Sequence, residues 1–236
     1  MKTSNIIISA FFIFLLAGML TLTISAKSHE KDATKEYMEN AFSNVTRLPA
    51  FSVIVGQPGS IFHIQQSSDN KIEMKYYNKI NLKKDVYRIS NDTLYFSDSD
   101  RKDTISYRIY CNKVNTVQGK PKSTVYIDSY ISKSLNVSTN NGILYLSNEN
   151  LNIKDYKNKV YNISIAAVNG SFVQVHKSEI NNLDVELIKS RLEMPLSSVQ
   201  SFKAVLRKES SIDNFTSPLN TQVNRDVSSI FRVYQQ

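Results

Sequence analysis

The chain has 236 residues, 41% of them hydrophobic, and 29 Lys plus Arg against 21 Asp plus Glu give a formal net charge of +8. That apolar share builds a core and excludes global disorder, while abundant Ile and Val with 13 Tyr favour half-buried strands over an all-helical fold. One cysteine, Cys111, and three histidines exclude an intramolecular disulfide framework and any cysteine-based structural zinc site.

Ile6 to Ile24 is a run of 19 residues without a charge. As a helix it spans about 29 Å, close to the hydrocarbon thickness of a bilayer. We therefore expect one N-terminal membrane helix within residues 1–26, serving as an uncleaved anchor. Thr23, Ser25 and Ala26 offer the alternative of a cleaved signal and a secreted product. Residues 27–47 are polar and read as a stalk. Lys27, Lys31 and Lys35 favour a cytoplasmic C-terminal side, but long domains translocate largely regardless of flanking charge. The expected location is the cell envelope, with the domain periplasmic or extracellular.

Beyond the stalk the pattern is that of strands. Phe51, Val53 and Val55 lead to a turn at Gly56 to Gly59, followed by Ile61, Phe62 and Ile64. In the basic run that follows, Lys71, Lys75 and Lys79 recur every four residues, yet Ile72, Met74 and Tyr76 alternate with Lys71, Glu73 and Lys75, which is strand periodicity. Val86 to Ile89, a turn at Asn91 and Asp92, and Leu94 to Phe96 come next. Ile105, Tyr107, Ile109 and Cys111 line one face of a further strand, so Cys111 reads as a buried, inert thiol.

The second half repeats. Leu183, Val185 and Leu187 alternate with Asp184 and Glu186, then Ser190 and Arg191 intervene before Leu192 and Met194. Phe202, Ala204 and Leu206 open another copy, which turns at Ser210 and Ser211 before Ile212, and Ile163 and Ile165 open a preceding one with its turn at Gly170 and Ser171. Gly170, Ser190 and Ser210 stand 20 residues apart, as do Phe172, Leu192 and Ile212, and a less regular copy runs from Leu135 to Leu146. A strand-turn-strand unit of this size cannot bury its apolar face alone, but stacked units form a continuous core. The expected fold is all-β: a β-solenoid resembling a parallel β-helix, about 20 residues per coil. Its N-terminal half is strand-rich but does not share the period. An antiparallel β-sandwich is the alternative.

The order Phe51-Ser52-Val53-Ile54-Val55, Lys71-Ile72-Glu73-Met74, Asn91 to Phe96, Leu135-Asn136-Val137 to Gly142 and then the 20-residue copies resembles the head GIN domain family of adhesin-like bacterial cell-envelope proteins. The resemblance covers about residues 48–215, leaving 216–236 as a C-terminal segment. It implies a β-solenoid-like fold outside the cytoplasm and an adhesive or binding role.

Chemistry is sparse. His29, His63 and His176 are not at metal-ligand spacing from one another, and no phosphate-binding glycine loop, nucleophile elbow or His-Glu-x-x-His pair is present. No cofactor or metal is expected. Asp184 and Glu186 face outward, and the repeat sets Lys203 beside Asp184 in the next coil, as in a cross-strand ion pair. Lys exceeds Arg and no stacking groove is evident, which argues against nucleic acid. The candidate binding surface comprises Lys71, Lys75, Lys79, Asp184, Glu186 and Lys203. Its expected partner is an anionic envelope polymer, a glycan or a protein. The leading expectation is a non-catalytic binding module held at a membrane. A structural envelope subunit acting through Thr221 to Gln236 is the alternative, and a polysaccharide-active enzyme is a remote one.

Overall fold

The computed structural model describes residues 42–76, 86–97, 104–128, 131–146, 158–216 and 220–234, with isolated positions between 16 and 25. The chain divides into two units, Met1–Phe42 and Ser43–Gln236. In the first, positions 16, 18–21, 23 and 25 are helical, and Leu16, Met19 and Leu20 are exposed. No helix among the described residues is long and apolar enough to cross a membrane. Most of Ile6 to Ile24, on which the anchor expectation rests, lies outside the described residues, as does the stalk up to residue 41.

The second unit is built from strands. In chain order they are β1 (Phe42–Arg47), β2 (Val53–Gly56), β3 (Ile61–Gln66), β4 (Lys71–Tyr76), β5 (Tyr87–Ser90), β6 (Thr93–Phe96) and β7 (Thr104–Cys111). They continue as β8 (Thr116–Gly119), β9 (Thr124–Asp128), β10 (Ile131–Asn140), β11 (Ile143–Leu146), β12 (Asn158–Val168) and β13 (Phe172–Val175). The last are β14 (Ser178–Ile188), β15 (Arg191–Glu193), β16 (Ser198–Arg207), β17 (Ser211–Thr216), β18 (Asn220–Arg225) and β19 (Ile230–Tyr234). One sheet has ten strands in the order β1-β4-β7-β3-β9-β11-β13-β15-β17-β19, and the other has nine in the order β18-β16-β14-β12-β10-β8-β2-β6-β5.

Each coil gives one strand to each sheet, and the next coil lays its own strands alongside in the same direction. Ile163, Leu183 and Phe202 are register partners, as are Ile165, Val185 and Ala204, and Ala167, Leu187 and Leu206. All nine are buried. Because the side-chain period is two, an apolar residue at every second position of every coil forms one continuous interior between the sheets. Of the registers described, only β4 with β7 and β5 with β6 are antiparallel. The antiparallel sandwich is thereby overturned: adjacent long strands come from successive coils rather than from hairpins.

Two details depart from the reading of the repeat. In the ten-stranded sheet Val173, Leu192 and Ile212 are partners. Phe172 instead pairs with Arg191 and is half-buried on the outer face. The coil there is 19 residues long rather than 20, which shifts the phase by one. The first half, moreover, belongs to the same stack despite lacking the period. β2 lies between β6 and β8, and β3 between β7 and β9, so the coil β2–β3 is followed in the chain by an excursion through β4 and β5 before its neighbours are laid down. The solenoid also begins earlier and ends later than 48–215, with β1 beside β4 at one end and β18 and β19 at the other.

The corners explain the small polar residues of the repeat. Ser60, Ser123, Ser171, Ser190, Ser210 and Ser229 are buried at one corner, each coil bonded to the next through main-chain groups such as Arg191 N to Ser171 O and Ile230 N to Ser210 O. Ser210 Oγ accepts from the Ser190 N–H at 3.3 Å and donates to the Arg207 carbonyl at 2.5 Å. Ser229 Oγ accepts from Ser210 N at 3.2 Å. The column thus satisfies buried backbone donors that the turn would otherwise strand. Gly142 takes this place in its coil, where an added Cβ would lie 2.8 Å from the Ser123 carbonyl oxygen. Cys111 is fully buried, and burial pushes its thiol up to about 12, which makes it inert at neutral pH.

The final coil places polar residues at two of three core-register positions of β18, while Val223 and, on β19, Phe231 still pack against the core. Thr221, Val223 and Arg225 stand opposite Phe202, Ala204 and Leu206, a capping layer for the core. Its turn is held by Asp226, which accepts from Lys208 N at 2.6 Å, Ser228 Oγ at 2.9 Å and Ser229 Oγ at 2.7 Å. These bonds, that of Ser229 foremost, hold the carboxyl down at about 2 against a reference of 3.8. A depressed carboxyl contributes stability that is present above its unfolded value and is lost as pH falls through its folded one. The protection factors of the Ser210 and Ile230 amides, taken against the intrinsic exchange rate at each pH, should therefore fall between about pH 4 and pH 2 in the wild type. In Asp226→Asn the exchange should already be fast at pH 5, and equal rates for both proteins would contradict this role.

Candidate binding surface

The alternation that fills the core leaves every other side chain of both sheets on an outer face, and the sequence-derived candidates divide between the two. Lys71 and Lys75 lie on the outer face of the ten-stranded sheet, on β4. Lys79 lies outside the described residues. Asp184, Glu186 and Lys203 lie on the nine-stranded sheet and are exposed. There Asp184 and Lys203 are register partners, as the repeat predicts. They edge a shallow depression of about 230 Å³ together with Ser164, Ala166, Glu186 and Val205. The predicted cross-strand ion pair does not form: the salt bridges between described residues lie elsewhere, on the ten-stranded sheet. Strand adjacency fixes the Cα atoms, but two exposed flexible side chains gain little from closing such a pair. Beside it an amide rung links Asn182 Nδ2 to Asn162 Oδ1 at 2.7 Å.

The richer arrangement is on the ten-stranded sheet. Arg108, His63, Tyr126, Tyr145, Gln174, Glu193 and Asp213 are successive register partners on β7, β3, β9, β11, β13, β15 and β17. They form one outward row that crosses the strands. The His63 and Tyr126 rings stack at 4.5 Å between centroids and 10° between planes. Tyr126 and Tyr145 stack at 5.0 Å, also at 10°, and Phe172, two residues from Gln174 on β13, meets Tyr145 edge-on at 6.1 Å. These spacings are those of neighbouring strands, about 4.8 Å, so the coil repeat itself holds the rings face to face and turns their polar edges outward.

At one end of the row His63 Nδ1 lies 3.0 Å from Asp128 Oδ2, with the carboxylate side chain 1% exposed and the imidazole 20%. With the Asp128 carboxylate as acceptor, Nδ1 is the donor of this bond, which leaves Nε2 for a second partner. Next to it Tyr110 Oη donates to Glu73 Oε2 at 2.8 Å and Ser43 Oγ to Glu73 Oε1 at 3.0 Å. Burial disfavours the charged form of Glu73, but the bonds from Tyr110 and Ser43 and the nearby Lys75 and Arg108 outweigh it and hold the carboxyl below its usual range. Burial, with the charge of Glu73 behind it, raises Tyr110, and burial with Tyr145 and Asp128 raises Tyr126, so both phenols stay protonated at neutral pH. The Lys71 ammonium sits 4.6 Å over the Tyr110 ring. At the other end the charges neutralise one another: Arg191 bonds Glu193 at 2.5 Å and Asp213 at 3.3 Å, and Arg232 bonds Asp213 at 3.2 Å.

The described residues include no group of three or more His, Cys, Asp and Glu placed to hold a metal ion. Sequence reasoning passed over the row because His63 and Asp128 are 65 residues apart and outside the regular period. The one available signal was the spacing of 19 between Tyr126 and Tyr145, which is a single coil.

No protein-family model matches the chain, and no curated protein matches it. Solved structures do. A "putative adhesin" from Parabacteroides distasonis aligns with a TM-score of 0.57 and 9% identity, covering 78% of this chain and 77% of that one. A "putative lipid binding protein" from the same species aligns with 0.52 and 9% identity over 84% and 95%. A "putative adhesin" from Bacteroides fragilis aligns with 0.51 and 13% identity over 82% and 97%. At these identities the likeness is one of fold.

Proposed function

We propose that the chain is a non-catalytic, adhesin-like binding module of a bacterial cell envelope, of the head GIN type, held at a membrane by its N-terminal segment. The observation that carries this reading is the outward row on the ten-stranded sheet. It is a track of aromatic edges, an amide and charged groups at regular strand spacing on the outer face of the sheet. Catalysis needs an acid, base or nucleophile converging on a common point, whereas a flat ladder offers many weak contacts to an extended partner. The adhesin names of two fold neighbours lend support, and so does the uncharged stretch of residues 6 to 24.

The test is fractionation of the full chain expressed in a bacterial host. It should remain with membranes through a carbonate wash, be digested by protease added to intact spheroplasts, and retain isolated envelope polymer without generating new reducing ends. Full recovery as a soluble species beginning near Lys27 would replace the anchor with a cleaved signal. Protection from protease would place the domain in the cytoplasm, and new reducing ends would establish an enzyme.

A further inference from the structure

The two ends of the outward row differ in charge. At the Glu193 and Asp213 end, both carboxylates are taken up by Arg191 and Arg232. At the His63 end, Arg108, Lys71 and Lys75 share the face with Glu73 as the one carboxylate of the same strands, and Asp128 is sealed beneath His63. Cations are thus in excess there. Between the ends the row is neutral and consists of phenol and amide groups, one per coil.

We infer that this row is the binding site for an extended acidic polysaccharide lying across the strands, with its acid-bearing units over Arg108, Lys71 and Lys75 and its hydroxyls on His63, Tyr126, Tyr145 and Gln174. The assignment rests on the binding-module reading and gives it a ligand class and a place. Three features of the geometry match such a ligand. Two coils advance by about 10 Å, on the scale of a disaccharide, so alternate rungs meet equivalent sugar units without a bend in the chain. The stacked rings cover one another's faces and expose hydroxyls and a ring nitrogen, which suits hydrogen bonding to sugar hydroxyls better than burial of an apolar side chain. His63 offers Nε2 and the phenols offer hydroxyls that both donate and accept, partners that a polyhydroxylated chain satisfies. Asp128 is a positioning residue: it holds the Nδ1 hydrogen inward so that Nε2 faces the ligand.

The experiment measures binding of the full chain, in detergent, to immobilised polygalacturonate and alginate, with neutral dextran for comparison. The wild type should prefer the acidic polymers and bind them less tightly as salt rises from 0.1 M to 1 M, where the Debye length falls from about 10 Å to about 3 Å. His63→Phe, Tyr126→Phe and Tyr145→Phe keep an aromatic ring at each place in the stack while removing the two imidazole nitrogens or a phenol hydroxyl. Tyr145→Phe should weaken binding about ten-fold without lowering the melting temperature, whereas His63→Phe should weaken it as much and also lower the melting temperature, because it takes the imidazole away from the Asp128 carboxylate, which is 1% exposed. Asn136→Ala, exposed on the opposite sheet, should bind as the wild type. Asp128→Asn should reproduce the His63→Phe loss in the wild type and have no further effect in a His63→Phe background. Acidic-polymer binding unchanged in the Phe variants overturns the site and leaves the module reading intact. Equal affinity for dextran, or retention of envelope proteins and none of the polysaccharides, overturns the ligand class alone. Failure to retain any envelope component overturns both.

Discussion

Leu187→Asp is expected to abolish the cooperative unfolding transition of the solenoid, while Glu186→Gln one residue away leaves it unchanged. Leu187 has no exposed surface and sits between Ala167 and Leu206 of the adjoining coils. Losing its side chain alone costs about 2–5 kcal/mol. The carboxylate that replaces it has no partner in an apolar interior, which adds several kcal/mol more, and the sum rivals the whole stability of a typical domain, about 5–15 kcal/mol. Glu186 projects from the opposite side of the same strand and is exposed. Denaturant titration followed by tyrosine fluorescence and far-ultraviolet circular dichroism would read both. Equal tolerance of the two changes would contradict the inward phase of β14.

Ser210→Ala is the second large effect, about 1–3 kcal/mol of destabilisation, although the change removes a single oxygen. That oxygen accepts from Ser190 N and donates to the Arg207 carbonyl at a corner closed to solvent, where Ser190 and Ser210 are 6% and 0% exposed. Alanine leaves the Ser190 N–H buried without its partner. Ser198→Ala on the exposed side of β16 should stay within about 0.5 kcal/mol of the wild type. The same denaturation experiment checks the pair. A loss at Ser198 as large as that at Ser210 would mean that the corner column does not stabilise the stack.

Much of the solenoid was legible because its signals are local. Alternation in Leu183 to Leu187 and Phe202 to Leu206 reports which way successive side chains point, and recurrence one coil later reports which residues become neighbours. Ser190 and Ser210 were recognisable as corners for the same reason, while Phe172 was misplaced because one coil is a residue shorter and a single-residue shift exchanges inside for outside. The candidate residues were less legible. Asp184, Glu186 and Lys203 are outward and adjacent as the period requires, yet the ion pair read from that adjacency is absent, since register positions backbones and leaves exposed side chains their own freedom.

The sequence by itself determined strand-turn-strand units with an apolar residue at every second position and a small residue at the corners, which favour stacked coils over an antiparallel sandwich. Only the tertiary structure decided which coils touch. The coil β2–β3 was free to stack beside any other until the excursion through β4 and β5 returned the chain to both of its flanks. That choice sets His63 against Tyr126 and over Asp128. A contact across more than sixty residues depends on where an irregular insertion lets the chain come back, a property of the packed whole and not of any local pattern.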